Sequence, residues 1–203
     1  MRLFDGGRAP NPRRTRIFIA EKGIDVALEP VDMTRLEHRS DAIASRNPLR
    51  RLPVLELADG TILTESIAIC RYLEALHPKP ALFGETPLEI ARVEMWNRRI
   101  ELGLLASVAA AFRHTHPAMA DWEVPQIAAW GEANREKAAE FLRFFDDHLA
   151  DHRYAAGEEF SVADITGVAA IDFMKPAKIE LPAQLAHVAR WYDEVAARPS
   201  MKA

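Results

Sequence analysis

A small α/β domain, ordered β-α-β, β-hairpin and α, followed by an all-α domain, is the fold this chain predicts. Three observations carry that expectation. Short apolar runs broken by Gly and Pro fill residues 1–79. Within them, two such runs flank Asp59-Gly60 and lead directly into a helical stripe. From Thr86 onward only helical stripes and helix caps recur. The proline-bearing stretch between them sets the expected domains at 1–79 and 86–203.

Each element has its own signal. Arg2–Phe4 opens as a strand and ends at Gly6-Gly7. Asn11-Pro12 reads as a helix start, with Asn as the cap and Pro at the first helical position; Gly23 ends that helix. Val26–Val31 is a second strand, and Asp41–Ser45 a short helix before Asn47-Pro48. Pro53–Leu57 and Thr61–Leu63 make the hairpin, and Ile67, Ile69, Tyr72, Leu73 and Leu76 the helix that begins near Ser66. In the second half, Thr86-Pro87-Leu88-Glu89 is a capping box opening a helix to about Phe112. Another helix spans about Pro125 to Leu149, Ser161–Asp164 caps a third through Phe173, and a fourth precedes Pro199.

Composition narrows the function classes. The 203 residues are 49% hydrophobic and 28% charged, which is a globular rather than a disordered balance. No apolar run approaches the roughly 18 residues of a membrane span, and no signal peptide is visible, so a soluble, cytoplasmic protein is expected. One cysteine, Cys70, excludes an intramolecular disulfide framework and a multi-cysteine metal site. His114 and His116 lack a third ligand at metal spacing, so no metal is expected. Residues 1–80 carry 13 basic and 11 acidic side chains, residues 81–203 carry 13 and 19. Arg8, Arg13, Arg14 and Arg16 form a dense run. In a chain of net charge -4, a small anionic ligand on the basic half explains it better than nucleic acid.

Three segments carry a family resemblance: Ala9–Arg14 (APNPRR), Asn47–Leu55 (NPLRRLPVL) and Asp59–Ile69 (DGTILTESIAI), joined in the second half by Phe160–Ile165 (FSVADI). In this order and spacing the chain resembles the glutathione transferase family, nearest its theta-like bacterial and fungal members, over essentially its whole length. The resemblance implies a thioredoxin-like N-terminal domain, an all-helical C-terminal domain, glutathione as co-substrate, a small hydrophobic electrophile as its partner, a role in detoxification and a homodimer.

It also implies site residues. Ser66 at a helix start offers a hydroxyl and free amides to a carboxylate, and Glu65 can meet the amine of glutathione; taken alone, the pair reads first as a cap and an acid favoured by the helix dipole. Pro53 is expected in the cis form, exposing the backbone of Leu52 to the peptide part of the ligand, against the alternative of a trans proline starting an edge strand. Arg51 is the candidate for the glycine carboxylate, with a solvated surface arginine as the alternative. His38 matches a position approaching the same carboxylate, or is an exposed bystander.

At the thiol the chain departs from the pattern. Where theta-like members place Ser-x-x-Cys, this chain has Ala9 and Pro12, and Tyr72, Tyr154 and Tyr192 are all elsewhere. Two substitutes remain: Asn11 at the start of the first helix, and His114, because fungal members lacking the serine use a histidine of the helical domain through water. Each has a structural alternative, a cap for Asn11 and a surface pair at a helix end for His114 with His116. Cys70, mid-helix among apolar residues, reads as a small hydrophobe. Trp96, Trp122, Trp130 and Trp191 can line an electrophile pocket or pack a core. The open alternatives to a transferase are glutathione-dependent disulfide or peroxide reduction and a non-catalytic binding or interaction module.

Overall fold

Four short strands form one mixed sheet in the computed structural model, which describes residues 1–203. The strands are β1 (Arg2–Asp5), β2 (Ala27–Pro30), β3 (Val54–Glu56) and β4 (Ile62–Thr64), in the spatial order β2-β1-β3-β4. β1 runs parallel to β2, while β3 is antiparallel to both β1 and β4. Leu3 faces Leu55 in register, and Phe4 faces Val54. Side chains alternate across a pleated sheet, so the two pairs serve opposite faces. Val54 packs with Leu52, Phe4, Ile62 and Ile43 of α2 (Asp41–Ala44). Leu3 and Leu55, both fully buried, face the other layer, where α1 (Pro10–Lys22) packs on α3 (Ser66–Leu76) and Ile17, Phe18, Ile69 and Leu73 are fully buried too.

The helix α1 starts two residues earlier than expected. Ala9, not Asn11, is its N-cap, with no side-chain cap bond, and Pro10 holds the first helical position. First-turn amides have no partner inside a helix, so proline is tolerated at Pro10 and again at Pro12. Gly23 closes α1 at φ 62°, where its amide reaches the Ala20 and Ile19 carbonyls. Lys22, buried, ends the same helix. Its ammonium pairs with Glu74 and donates to the His77 carbonyl at 2.8 Å and to that of Pro80. The arginine run is also partly internal, since Arg16 pairs with Asp5 and donates to the Gly7 carbonyl at 2.8 Å.

Residues Leu82–Arg198 form a second unit, all helical; Met1–Ala81 form the first together with Pro199–Ala203, where the Ser200 hydroxyl bonds Glu21. The second unit contains α4 (Pro87–Ile100), α5 (Ala106–Thr115), α6 (Ala128–Leu149), α7 (Val162–Met174) and α8 (Ala186–Ala196). The capping box at Thr86 and Glu89 is present in both directions. The long helix expected from Thr86 is α4 continued into α5 through a π turn at Glu101–Leu105. Gly103 in that turn lies against the ring of Phe141 on α6; a Cβ there would sit 2.6 Å from Cε2. The close approach of the two helices thus requires glycine. The helix α6 begins three residues after Pro125. Gln126 instead donates to the carbonyls of Arg113 and His116 at 2.6 and 3.0 Å, capping the end of α5. Trp191, Phe145, Leu142, Ile100, Leu104 and Val168 are fully buried and fill the core of this unit.

Candidate functional site

The hairpin, the loop before it and the first turns of α1 and α3 surround one pocket of the first unit. Asn11, Asn47, Arg51, Leu52, Pro53, Glu65 and Ser66 line it. Five of the sequence-expected glutathione residues, Arg51, Leu52, Pro53, Glu65 and Ser66, are therefore brought together, and Asn11 with them.

The geometry of each follows from its element. The Leu52–Pro53 bond is cis. Leu52 lies beyond the last paired position of β3, Val54 with Phe4, so its amide and carbonyl are off the sheet ladder. Glu65 sits between β4 and α3 at φ 67°, ψ 116°, a conformation that a residue with a Cβ adopts only under constraint. It is the N-cap of α3 without a side-chain cap bond, which leaves its carboxylate for the pocket. Ser66 is the first helical residue rather than the cap, and is 3% exposed. The side chain of Asn47, also buried, donates to the Arg51 carbonyl at 2.8 Å and accepts from the Leu49 amide at 3.1 Å. It thereby shapes the turn in which Arg50 adopts φ 53° and Arg51 reaches the rim.

At the start of α1 the donors converge on Asn11. Pro10 and Pro12 have no amide hydrogen, and the Arg13 amide is taken by the Ala9 carbonyl at 3.1 Å. The Asn11 amide is what remains of the first turn. Beneath it lies Arg14, 3% exposed, whose Nη2 donates to Asn11 Oδ1 and to Ser66 Oγ, each at 2.8 Å. The sequence placed Arg14 only in the basic run; the fold brings it to Asn11 and Ser66. Its signal was the spacing: a residue three after Asn11 shares its helix face. Asn47, which the sequence offers only as part of the Asn47–Leu55 segment, lines the pocket at an Asx-Pro turn.

Two further expected residues, His38 and His114, are not among the residues that line this pocket. His38 does not line it; it is buried on a single 3-10 turn at Glu37–Arg39, where burial and the neighbouring Arg39 push its imidazole below the ordinary value. The alternative of an exposed bystander is corrected by that burial. His114 ends α5 in the second unit. Its Nδ1 accepts the Ile127 amide at 3.1 Å, and its Nε2 lies 3.6 Å from Glu123. With Nδ1 accepting an amide, the neutral tautomer carries its hydrogen on Nε2, on the side of Glu123. His116 caps the following turn by accepting the Ala118 amide at 3.2 Å.

Among the other candidates, Cys70 is wholly buried and its thiol is pushed up to about 12, chiefly by burial. Trp191 and Trp96 are core residues, whereas Trp130 is exposed. No group of three or more metal-ligating side chains occurs, and no helix is long and apolar enough to cross a membrane.

A mixed sheet flanked by α1, α3 and α2, with a cis proline and a Glu-Ser pair at one pocket, defines a thioredoxin-like domain joined in sequence to a helical one. The chain belongs to the glutathione S-transferase family. Residues 9–76 match the family's N-terminal domain and residues 100–199 its C-terminal domain. It is 37% identical to glutathione S-transferase 2 of Saccharomyces cerevisiae over 100% of this chain and 88% of the yeast protein. A glutathione S-transferase domain-containing protein of Marinobacter aquaeolei superposes with a TM-score of 0.94 at 40% identity, covering 99% of this chain and 100% of that one. The class Gtt2 glutathione S-transferase of Vibrio parahaemolyticus gives 0.88 at 35% identity, covering 100% and 96%.

Proposed function

We propose that the chain is a glutathione transferase whose first unit binds glutathione and stabilises its thiolate at Asn11. The observation that carries this reading is the convergence of Glu65, Ser66, Arg51 and Asn11 on one pocket. Glutathione has two carboxylates, an amine and a thiol. Glu65 complements the amine, and Ser66 with the α3 amides complements the neighbouring carboxylate. Arg51 at the rim complements the second carboxylate, and the backbone of Leu52 the peptide between them. Asn11 then supplies an amide hydrogen and a side-chain NH2 for the sulfur at a helix N-terminus, where negative charge is favoured. The thiol proton leaves to solvent. The thiolate pair forms a C–S bond to a small hydrophobic electrophile: from an aromatic halide the halide departs with its bonding electrons, and an enone instead takes up a proton at its α-carbon.

His38 and His114 receive structural roles in this scheme, since one is buried outside the pocket and the other has its acceptor nitrogen engaged. Reduction of disulfides or peroxides at the same site is supported by the missing hydroxyl at Ala9, but it needs a second glutathione, because Cys70 is buried and protonated. The protein acts as a cytoplasmic, detoxifying homodimer in this reading. Leu88, Met95 and Leu102, exposed along α4 and the π turn, support association with a second copy. No metal takes part.

Titrating the thiolate absorbance of bound glutathione tests the proposal. A thiol pKa below that of free glutathione, with conjugation across a panel of aromatic halides and enones, is expected. An unshifted thiol and no conjugation would overturn it. Faster turnover of a mixed disulfide than of any halide would favour the reductase.

A further inference from the structure

Arg14 lies beneath the pocket and spends one nitrogen on two partners. Nη2 carries two hydrogens, and they go to Asn11 Oδ1 and Ser66 Oγ at the same 2.8 Å. A guanidinium has donors only. The Asn11 atom facing it is therefore the carbonyl oxygen, which turns the NH2 the opposite way. Ser66 Oγ likewise accepts, so its own hydrogen is left to be donated elsewhere. One cation thus sets the polarity of two pocket groups.

That polarity matters because an amide, unlike a hydroxyl, has a wrong end. A serine can rotate its hydrogen toward a thiolate without help. An unrestrained asparagine presents oxygen as readily as nitrogen, and oxygen repels a thiolate. A chain with Ala9 in place of the hydroxyl, and Asn11 at the pocket, needs something to choose the nitrogen. Asn11 is exposed while Arg14 is 3% exposed, so the choosing group is the one held rigid.

We propose that Arg14 is a positioning residue that fixes Asn11 as a donor to the glutathione sulfur and Ser66 as a donor to a glutathione carboxylate. This rests on the transferase reading above. The arrangement separates two ways for Arg14 to act. As a bare positive charge it favours a thiolate whatever residue 11 is; as an orienting group it acts only through Asn11.

The test is a double-mutant cycle read on the pKa of bound glutathione's thiol, from its thiolate absorbance against pH. Arg14→Met raises that pKa by about one unit, the size of one charge-assisted hydrogen bond. Asn11→Ala raises it similarly, and adding Arg14→Met to Asn11→Ala changes it no further. Arg14→Lys keeps the cation without the planar nitrogen and gives a smaller shift, again lost in the Asn11→Ala background. In parallel, affinity for S-methylglutathione, which has no ionisable thiol, falls in Arg14→Met but not when Ser66 is already alanine. An Arg14 effect that persists undiminished in Asn11→Ala overturns the proposal, as does a bound thiol that ignores both Arg14 substitutions. An unshifted thiol in the parent protein overturns the transferase reading, and this role falls with it.

Discussion

The indole nitrogen of Trp191 on α8 donates to the carboxylate of Asp164 on α7 at 2.8 Å, inside the core of the helical unit. Asp164 also accepts from the amides of Ala155 and Ser161 at 2.8 and 2.9 Å and from the Ser161 hydroxyl at 3.1 Å. Burial pushes its carboxyl up, and these donors pull the other way. One side chain thus ties the start of α7, the loop before it and α8. Asp164→Ala strands several buried donors, each costing about 1–3 kcal/mol, so a loss of at least about 3 kcal/mol is expected in urea unfolding followed by tryptophan fluorescence. Ser161→Ala removes the cap and one of the donors to Asp164 but strands no buried carboxylate, and costs about 1–2 kcal/mol. Equal losses for the two variants would contradict this division.

Gly103 and Phe141 make a second sharp case. A methyl group on Gly103 must displace the Phe141 ring from the groove between the π turn and α6. Gly103→Ala is expected to cost about 1–3 kcal/mol, as overpacking does, despite alanine's better helix propensity. Combining it with Phe141→Leu recovers part of that loss. Additive losses would show that the two positions do not press on one another.

Cys70 is expected to be silent in the folded protein. Wholly buried, with its thiol pushed up to about 12, it exposes almost no thiolate. An aromatic disulfide reagent should react with it only after denaturation, and Cys70→Ala should keep the conjugation rate within about twofold of the parent. Rapid labelling of the native protein would instead place this thiol within reach of solvent.

Stability should fall on mild acidification. His38 and His148 both have their imidazoles pushed below the ordinary 6.5, chiefly by burial. His148 stacks on Trp96 at 3.8 Å and its Nε2 bonds the Ala155 carbonyl at 3.0 Å. Below pH 6.5 the unfolded chain binds protons that the folded chain refuses, so unfolding takes up protons and stability rises with pH. Melting temperature is expected to drop from pH 7.5 to 5.5, and His148→Phe should flatten part of that slope. A slope unchanged in the variant removes His148 from the account.

Much of this was legible in the primary structure because it is written in local codes. The hairpin at Asp59-Gly60, the Gly23 stop, the boxes at Thr86 and Ser161 and the helical stripes each need only neighbours within a few residues. The motif order led to the family, and with it to Arg51, Pro53, Glu65 and Ser66. Local codes erred where two signals competed. Asn11 looked like a cap because it precedes a proline, yet Pro10 serves the first turn as well. The helix expected from Pro125 starts later because Gln126 is spent on α5.

By itself, then, the sequence determined the order of elements, the two-domain pattern and the residue types a dianionic tripeptide requires. Tertiary structure alone decided which of those residues meet. Arg14 becomes a buried donor only because α1 packs on α3 and brings Asn11 and Ser66 within reach of one nitrogen, across 52 positions of chain in the case of Ser66. Tertiary structure likewise decided what surrounds two histidines: His38 is buried on its 3-10 turn, and the Ile127 amide donates to Nδ1 of His114. Hydrogen-bond polarity is a property of partners in space, and no spacing along the chain states which end of an amide will face its neighbour.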